Sequence, residues 1–197
     1  MSDDYEQTAV ESREGWRAWL KANHATQPGV WAVTWKRGGD GPYVAYPDIV
    51  EEALCFGWVD SRPRTLDDHR SQLLVTPRRP GSGWSRPNKE RVERLEADGL
   101  MAAAGLAAVE AAKADGSWTA LDAVEDLVEP GDLAAALDGD PDARRHWDAF
   151  PRSAKRGILE WISTAKRDET RAERVGETAR LAAKNVRANQ WRRPEGR

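Results

Sequence analysis

The sequence is poor in sulfur, with one cysteine, Cys55, and two methionines in 197 residues. A lone cysteine excludes an internal disulfide and the paired-cysteine zinc signatures, and it fits a reducing compartment. The three histidines, His24, His69 and His146, are far apart and lack metal-ligand spacing. No apolar run approaches the about 20 residues that a membrane helix needs. Dinucleotide-binding, phosphate-loop and nucleophile-elbow glycine patterns do not occur. These absences predict no cofactor, no metal and no membrane partner. The opening "MSDDYEQT" is acidic and lacks the apolar stretch of a secretory signal, so a cytoplasmic protein is expected.

What is present is tryptophan, ten residues against two phenylalanines. Tryptophan brings a large apolar area and an N–H that wants an acceptor, so these rings either fill a core or wall a pocket. The length suits one domain, or one domain with a helical appendage. Net charge is −3, which steers the chain to neither nucleic acid nor membrane. The charge is uneven: residues 97–142 hold eleven acids and one base, and from Arg144 onward fifteen Lys/Arg face seven Asp/Glu. The basic helices at the end interleave acids throughout, which reads as a solvated face rather than a nucleic-acid surface.

Periodicity predicts helices over 12–22, where Ser12 can cap, and over 46–56, opened by Pro47 and Asp48 and closed by Gly57. Strands are expected at 30–36, 58–63 and 71–78. Residues 78–88 are a Pro/Gly/Ser-rich loop, helices follow at 88–97 and 100–114, and from Gly131 the chain reads as wholly helical. The expected fold is α+β: a small, mostly antiparallel sheet with packed helices over 1–120, and an all-helical region over 130–190, either separate or continuous with the first.

The stretch "ALCFGWVDSRPR", residues 53–64, turns from apolar to charged within twelve positions. Asp60 follows Trp58 and Val59, and a carboxylate beside large apolar groups is paired or shifted in pKa. Arg62, Arg64, Arg78 and Arg79 are its available partners, so Asp60 is either one end of a structural ion pair or an acid/base and ligand acceptor. Cys55 lies near a helix C-terminus with Glu51 and Glu52 one turn back, surroundings that raise a thiol's pKa. It reads as a small buried hydrophobe, and as a nucleophile only if Arg62 or Arg78 folds over it. "TPRRPGSGWSRPN" carries Arg78, Ser82, Trp84, Ser85 and Asn88 from a strand through a glycine-containing loop to a helix start. Arginine forks and helix N-termini bind anions, and Trp84 would supply an apolar wall. Equally, Ser85 or Asn88 is a plain cap and the arginines are solvated.

"WRAWLKANHATQPGVWAVTWKR", "EEALCFGWVDS", "TPRRPGSGWSRPNKERVERL" and "FPRSAKRGILEWISTAKRDETRAERVGETARLAAKN" together resemble the YdeI/OmpD-associated (OmdA) family, often labelled bacteriocin-protection proteins. The resemblance implies a role in tolerance of antimicrobial peptides and other toxic compounds. Carried over position by position, it marks Trp35, Lys36, Glu52, Cys55, Trp58, Asp60, Thr76, Arg78, Ser82, Trp84, Ser85 and Asn88. Ser61 departs from the family's glycine, and Ser71, Leu74 and Val75 stand where Tyr, Arg and Phe are commoner. These changes suggest a specialised ligand, as in self-resistance.

Two functions follow. The first is a protein that sequesters a small-molecule or peptide antibiotic in a Trp/Arg-lined pocket, with Trp35, Lys36, Trp58, Arg62, Ser82, Trp84, Ser85 and Asn88 as candidate binding residues. The second is a cofactor-independent hydrolase or lyase/isomerase. Its candidate catalytic residues are Asp60 as acid/base, Arg78 against developing negative charge, Cys55 and Glu52.

Overall fold

Ser12 begins the first helix as the sequence predicts: its side chain accepts from the Gly15 N–H, and α1 runs over Arg13–Asn23 with Trp16 and Leu20 on its buried face. In the computed structural model, which describes residues 4–189, the chain divides between Ala120 and Leu121 into two compact units.

The first unit is α+β. Its strands are β1 (Gln7–Ala9), β2 (Val30–Trp35), β3 (Trp58–Thr65) and β4 (Arg70–Pro77). The sheet order is β1-β2-β4-β3, with β1 parallel to β2 and the other pairs antiparallel. The register Val30↔Val75 and Ala32↔Leu73 places four apolar side chains on one face. There they join Trp16 and Leu20 of α1 and Ile49, Val50, Ala53 and Leu54 of α2 (Tyr46–Cys55) in one core. β3 is an edge strand. Between Asp60↔Val75 and Pro63↔Leu73 it advances one residue more than its partner, a bulge. Pro63 has no N–H to give, and the edge is where a sheet tolerates that.

Two helices complete the unit, α3 (Arg86–Ala97) and α4 (Ala103–Asp115). α3 begins two residues before Asn88. Its N-cap, Ser85, makes no side-chain capping bond, and the Asn88 side chain accepts from Arg91 instead. The alanine run that reads only as a strong helix former has a packing role in α4. Gly105 lies so close to α2 that an added Cβ would meet the Cys55 carbonyl group and sit 2.9 Å from the Leu54 oxygen.

The β3–β4 turn is organised by Asp67. Its carboxylate accepts from the His69 and Arg70 N–H groups and pairs with the Arg70 guanidinium. The Arg70 side-chain bond, then the backbone bonds, lower the Asp67 pKa to about 2. A lowered carboxylate pKa means that its support for the turn is complete above the unfolded value of about 3.9 and fades as pH falls towards the folded one. NMR titration of the Asp67 carboxyl carbon is therefore expected to give a midpoint near 2. Arg70→Ala should move it upward, and an unchanged midpoint would disprove the pairing.

The second unit is helical: α5 (Asp122–Glu125), α6 (Gly131–Asp138), α7 (Pro141–Ala149), α8 (Arg152–Ser163) and α9 (Asp168–Ala182). Leu133, Leu137, Trp147, Ile158, Ile162 and Val175 form its core. Of the predicted apolar stripe, Ile158, Leu159 and Ile162 are buried, while Trp161 is half-buried under Arg174. Buried Glu125 is held by Arg156, and the Trp147 indole donates to Glu129 at 2.7 Å.

Candidate functional site

Gly57 ends α2 with φ +74°, a left-handed turn, and its carbonyl accepts the Arg78 N–H at 3.0 Å. That bond fixes where the chain leaves β4, and hence where the arginine goes. The Arg78 guanidinium lies over the Trp84 ring, 3.7 Å from its centroid. Its Nη1 donates to the Gly83 carbonyl at 3.1 Å and lies 3.5 Å from the Ser82 hydroxyl. Nε and Nη2 are buried without a hydrogen-bond partner among the described residues. Burial pulls the Arg78 pKa down to about 10, and the nearby Asp60 charge opposes the shift. The side chain is thus still cationic at neutral pH.

Trp84 is fully buried. Its ring lies 5.0 Å from that of Trp118, centroid to centroid, and Val92 and Leu95 of α3 share its core. The other fully buried indoles all find an acceptor: Trp16 donates to the Ile49 carbonyl, Trp58 to the His24 carbonyl, Trp147 to Glu129. The Trp84 N–H has none. Arg78 and Trp84 line a cavity of ≈ 90 Å³. Gly81, Ser82, Ala108, Ala111 and Ala112 of α4, Asp115 and the buried Ser117 also line it. Asp115 is occupied there, accepting from the Ser117 N–H at 2.8 Å.

Asp60 sits beside this centre. Its Oδ2 accepts from the Tyr46 hydroxyl at 2.6 Å. Burial and then Asp60 push the Tyr46 pKa up to about 12, so the phenol stays protonated. Tyr46 also lines a second, larger cavity of ≈ 250 Å³, walled by Tyr43, Val44, Ile49, Pro63 and Leu73.

The remaining predicted residues are dispersed through the first unit. Glu52 is buried and accepts from Arg13 at 2.7 Å and Arg17 at 2.6 Å, an ion-pair clamp between α2 and α1. Cys55 is fully buried. Burial raises its thiol pKa, and the cation that opposes the rise is Arg17 rather than Arg62 or Arg78. A thiol held in its neutral form is a poor nucleophile. Lys36 donates to the Asp67 and Asp68 carbonyls and so pins the β3–β4 turn, beside Trp35, which packs near His69. Trp58 is a core ring. Arg62 lines a groove on the sheet with Val59, Leu74, Thr76, Arg79 and Ser82. Ser85 is the N-cap residue of α3 without a side-chain capping bond, and the Asn88 side chain accepts from Arg91.

Sequence reasoning did not single out Tyr46, Ala108, Ala112, Asp115 or Ser117. Tyr46 carries no motif. The alanines, spaced at helical intervals with Gly105, are a readable stripe of small residues whose partner is not readable.

Among the described residues, no group of three or more His, Cys, Asp or Glu could hold a metal ion, and no helix is long and apolar enough to cross a membrane. The model of a family described as a domain of unknown function (DUF8412) matches residues 8–108, and that of the family described as "Bacteriocin-protection, YdeI or OmpD-Associated" matches residues 126–185. The resemblance to the OmdA family thus holds over the helical unit, and the first unit carries a family of its own. No curated protein and no solved structure matches the chain.

Proposed function

The chain belongs to the DUF8412 family, whose model spans about half of it, and from that premise, joined to the bacteriocin-protection match over residues 126–185, we propose that it is a cytoplasmic binding protein that sequesters an anionic antimicrobial compound. The anchor is Arg78. What supports the reading is a guanidinium with two buried nitrogens, Nε and Nη2, that lack a partner among the described residues, beside an indole N–H that lacks one too. An uncompensated buried cation is costly, and so is every buried donor without an acceptor. A ligand that brings negative charge removes both costs at once. The cavity holds about three waters' worth of volume at roughly 30 Å³ each, so only the acidic group of the compound enters it. The body lies outside, across Arg79 and Ser82.

The test is native mass spectrometry of the protein after incubation with a bacterial extract. A retained compound of unchanged mass is expected, and Arg78→Ala should weaken its retention at least tenfold, as loss of a charge-assisted pair does. Equal retention by that variant would refute the reading.

The Tyr46–Asp60 hydrogen bond favours a second reading, a cofactor-independent hydrolase or lyase/isomerase with Asp60 as acid/base. It requires a compound of altered mass, and that alteration must disappear in Asp60→Asn.

A further inference from the structure

The chain itself demonstrates what one edge of a guanidinium does. Arg171 grips Asp132 through Nε at 2.7 Å and Nη2 at 3.0 Å, one bond to each carboxylate oxygen. Arg70 turns the same two nitrogens to a single oxygen of Asp67, and Arg156 to a single oxygen of Glu125. On this edge the two N–H bonds run parallel at the spacing of a carboxylate's oxygens. In Arg78 the opposite nitrogen, Nη1, is taken by Gly83, and the Nε/Nη2 edge is buried and empty.

Three buried donor nitrogens, from two stacked side chains that line one cavity, have no acceptor among the described residues. A water there would have to turn its own hydrogens to the few side-chain acceptors of a mostly apolar lining, Asp115, Ser82 and Ser117. A group with acceptors alone has no such conflict. Among such groups the surroundings select a flat monoanion. Asp115 lines the same cavity and the Asp60 charge acts on Arg78, so a second negative charge on the ligand is repelled. The space is ≈ 90 Å³, with Arg78 and the Trp84 ring it lies over both in its lining.

We propose that the Nε/Nη2 edge of Arg78, with the Trp84 indole N–H, is a carboxylate-binding site. This rests on the binding function above and adds the chemical class of the group bound. The carboxylate is either that of a small free acid or the C-terminus of a peptide.

The experiment is NMR on the ¹⁵N-labelled full chain, following the Arg78 Nε–H and Trp84 indole signals, assigned through Arg78→Lys and Trp84→Phe. Sodium acetate is expected to shift both signals saturably. Acetamide, its neutral counterpart, and inorganic phosphate at equal ionic strength are expected to leave them in place. Trp84→Phe, which keeps a ring and deletes the donor, should weaken acetate about tenfold or less, one hydrogen bond's worth. Trialanine as the free acid and as its amide then separate the sources: a free-acid peptide binding more tightly than acetate assigns a peptide terminus, and equal or weaker binding assigns a small acid. Phosphate displacing acetate, or acetamide binding as well as acetate, would overturn the proposal. So would no response to acetate or to the free-acid peptide. If Arg78→Ala still loses a compound from the extract in that case, the binding function survives and only the carboxylate assignment fails.

Discussion

Trp84→Ala is expected to destabilise the α+β unit by about 3–5 kcal/mol, the range for truncating a large buried aromatic side chain. The ring has no exposed surface, packs against Trp118 and supports the Arg78 guanidinium. Removing it opens a void in the core it shares with Val92 and Leu95 and strips the cation of its stacking partner. Trp84→Phe should behave differently. It shrinks the ring, which destabilises, but deletes a buried donor that has no acceptor, which offsets about 1–3 kcal/mol of desolvation. The two nearly cancel. Because the chain has two units, the check is native-state hydrogen exchange at the β2 and β4 amides, which reports the first unit alone. A loss below about 1 kcal/mol in the alanine variant would mean that the indole is not packed as described.

Gly105→Ala reverses an ordinary expectation. Inside a helix, alanine is normally better than glycine by about 1 kcal/mol. Here the new Cβ would overlap the Cys55 carbonyl oxygen and lie 2.7 Å from the Cys55 carbonyl carbon and 2.9 Å from the Leu54 oxygen. All three are backbone atoms, which cannot swing aside. α4 must move off the end of α2, taking with it the Ala102 N–H bond to the Cys55 carbonyl. A loss of about 2–3 kcal/mol is expected, the cost of forcing atoms into a filled space. Gly176→Ala in α9 is the control. Beyond its own helix backbone and chain neighbours, no atom of the described residues lies within 4 Å of its added Cβ, so the usual gain of about 0.4–1 kcal/mol should appear. Equal outcomes at the two glycines, read by hydrogen exchange in α4 and α9, would contradict the close approach.

How much of this was written in the sequence depends on distance along the chain. Local signals were legible: the Ser12 cap, the Pro47–Asp48 start of α2, and its stop at Gly57. β1 was not, because three residues carry no periodicity and the strand exists only where β2 offers a parallel partner. The same limit divides the site. Arg78 and Trp84 are six positions apart in one loop, so their meeting was anticipated. Glu52 was read as a candidate acid, but its partners Arg13 and Arg17 lie on another helix 39 and 35 residues away. Lys36 resembles a ligand group in sequence and is used to hold the carbonyls of a turn. A charged residue's role is set by what folds across from it, and spacing along the chain does not report that.

The bulged edge strand has a consequence for how copies of this protein meet. A sheet whose last strand is long, straight and regularly hydrogen-bonded invites a neighbour to add another. Here one border is only three residues long, and the other carries a proline, an out-of-step residue and two arginines, Arg62 and Arg64. Such a border offers no continuous ladder for a second molecule to zip onto. The protein can therefore be concentrated without polymerising through its own sheet.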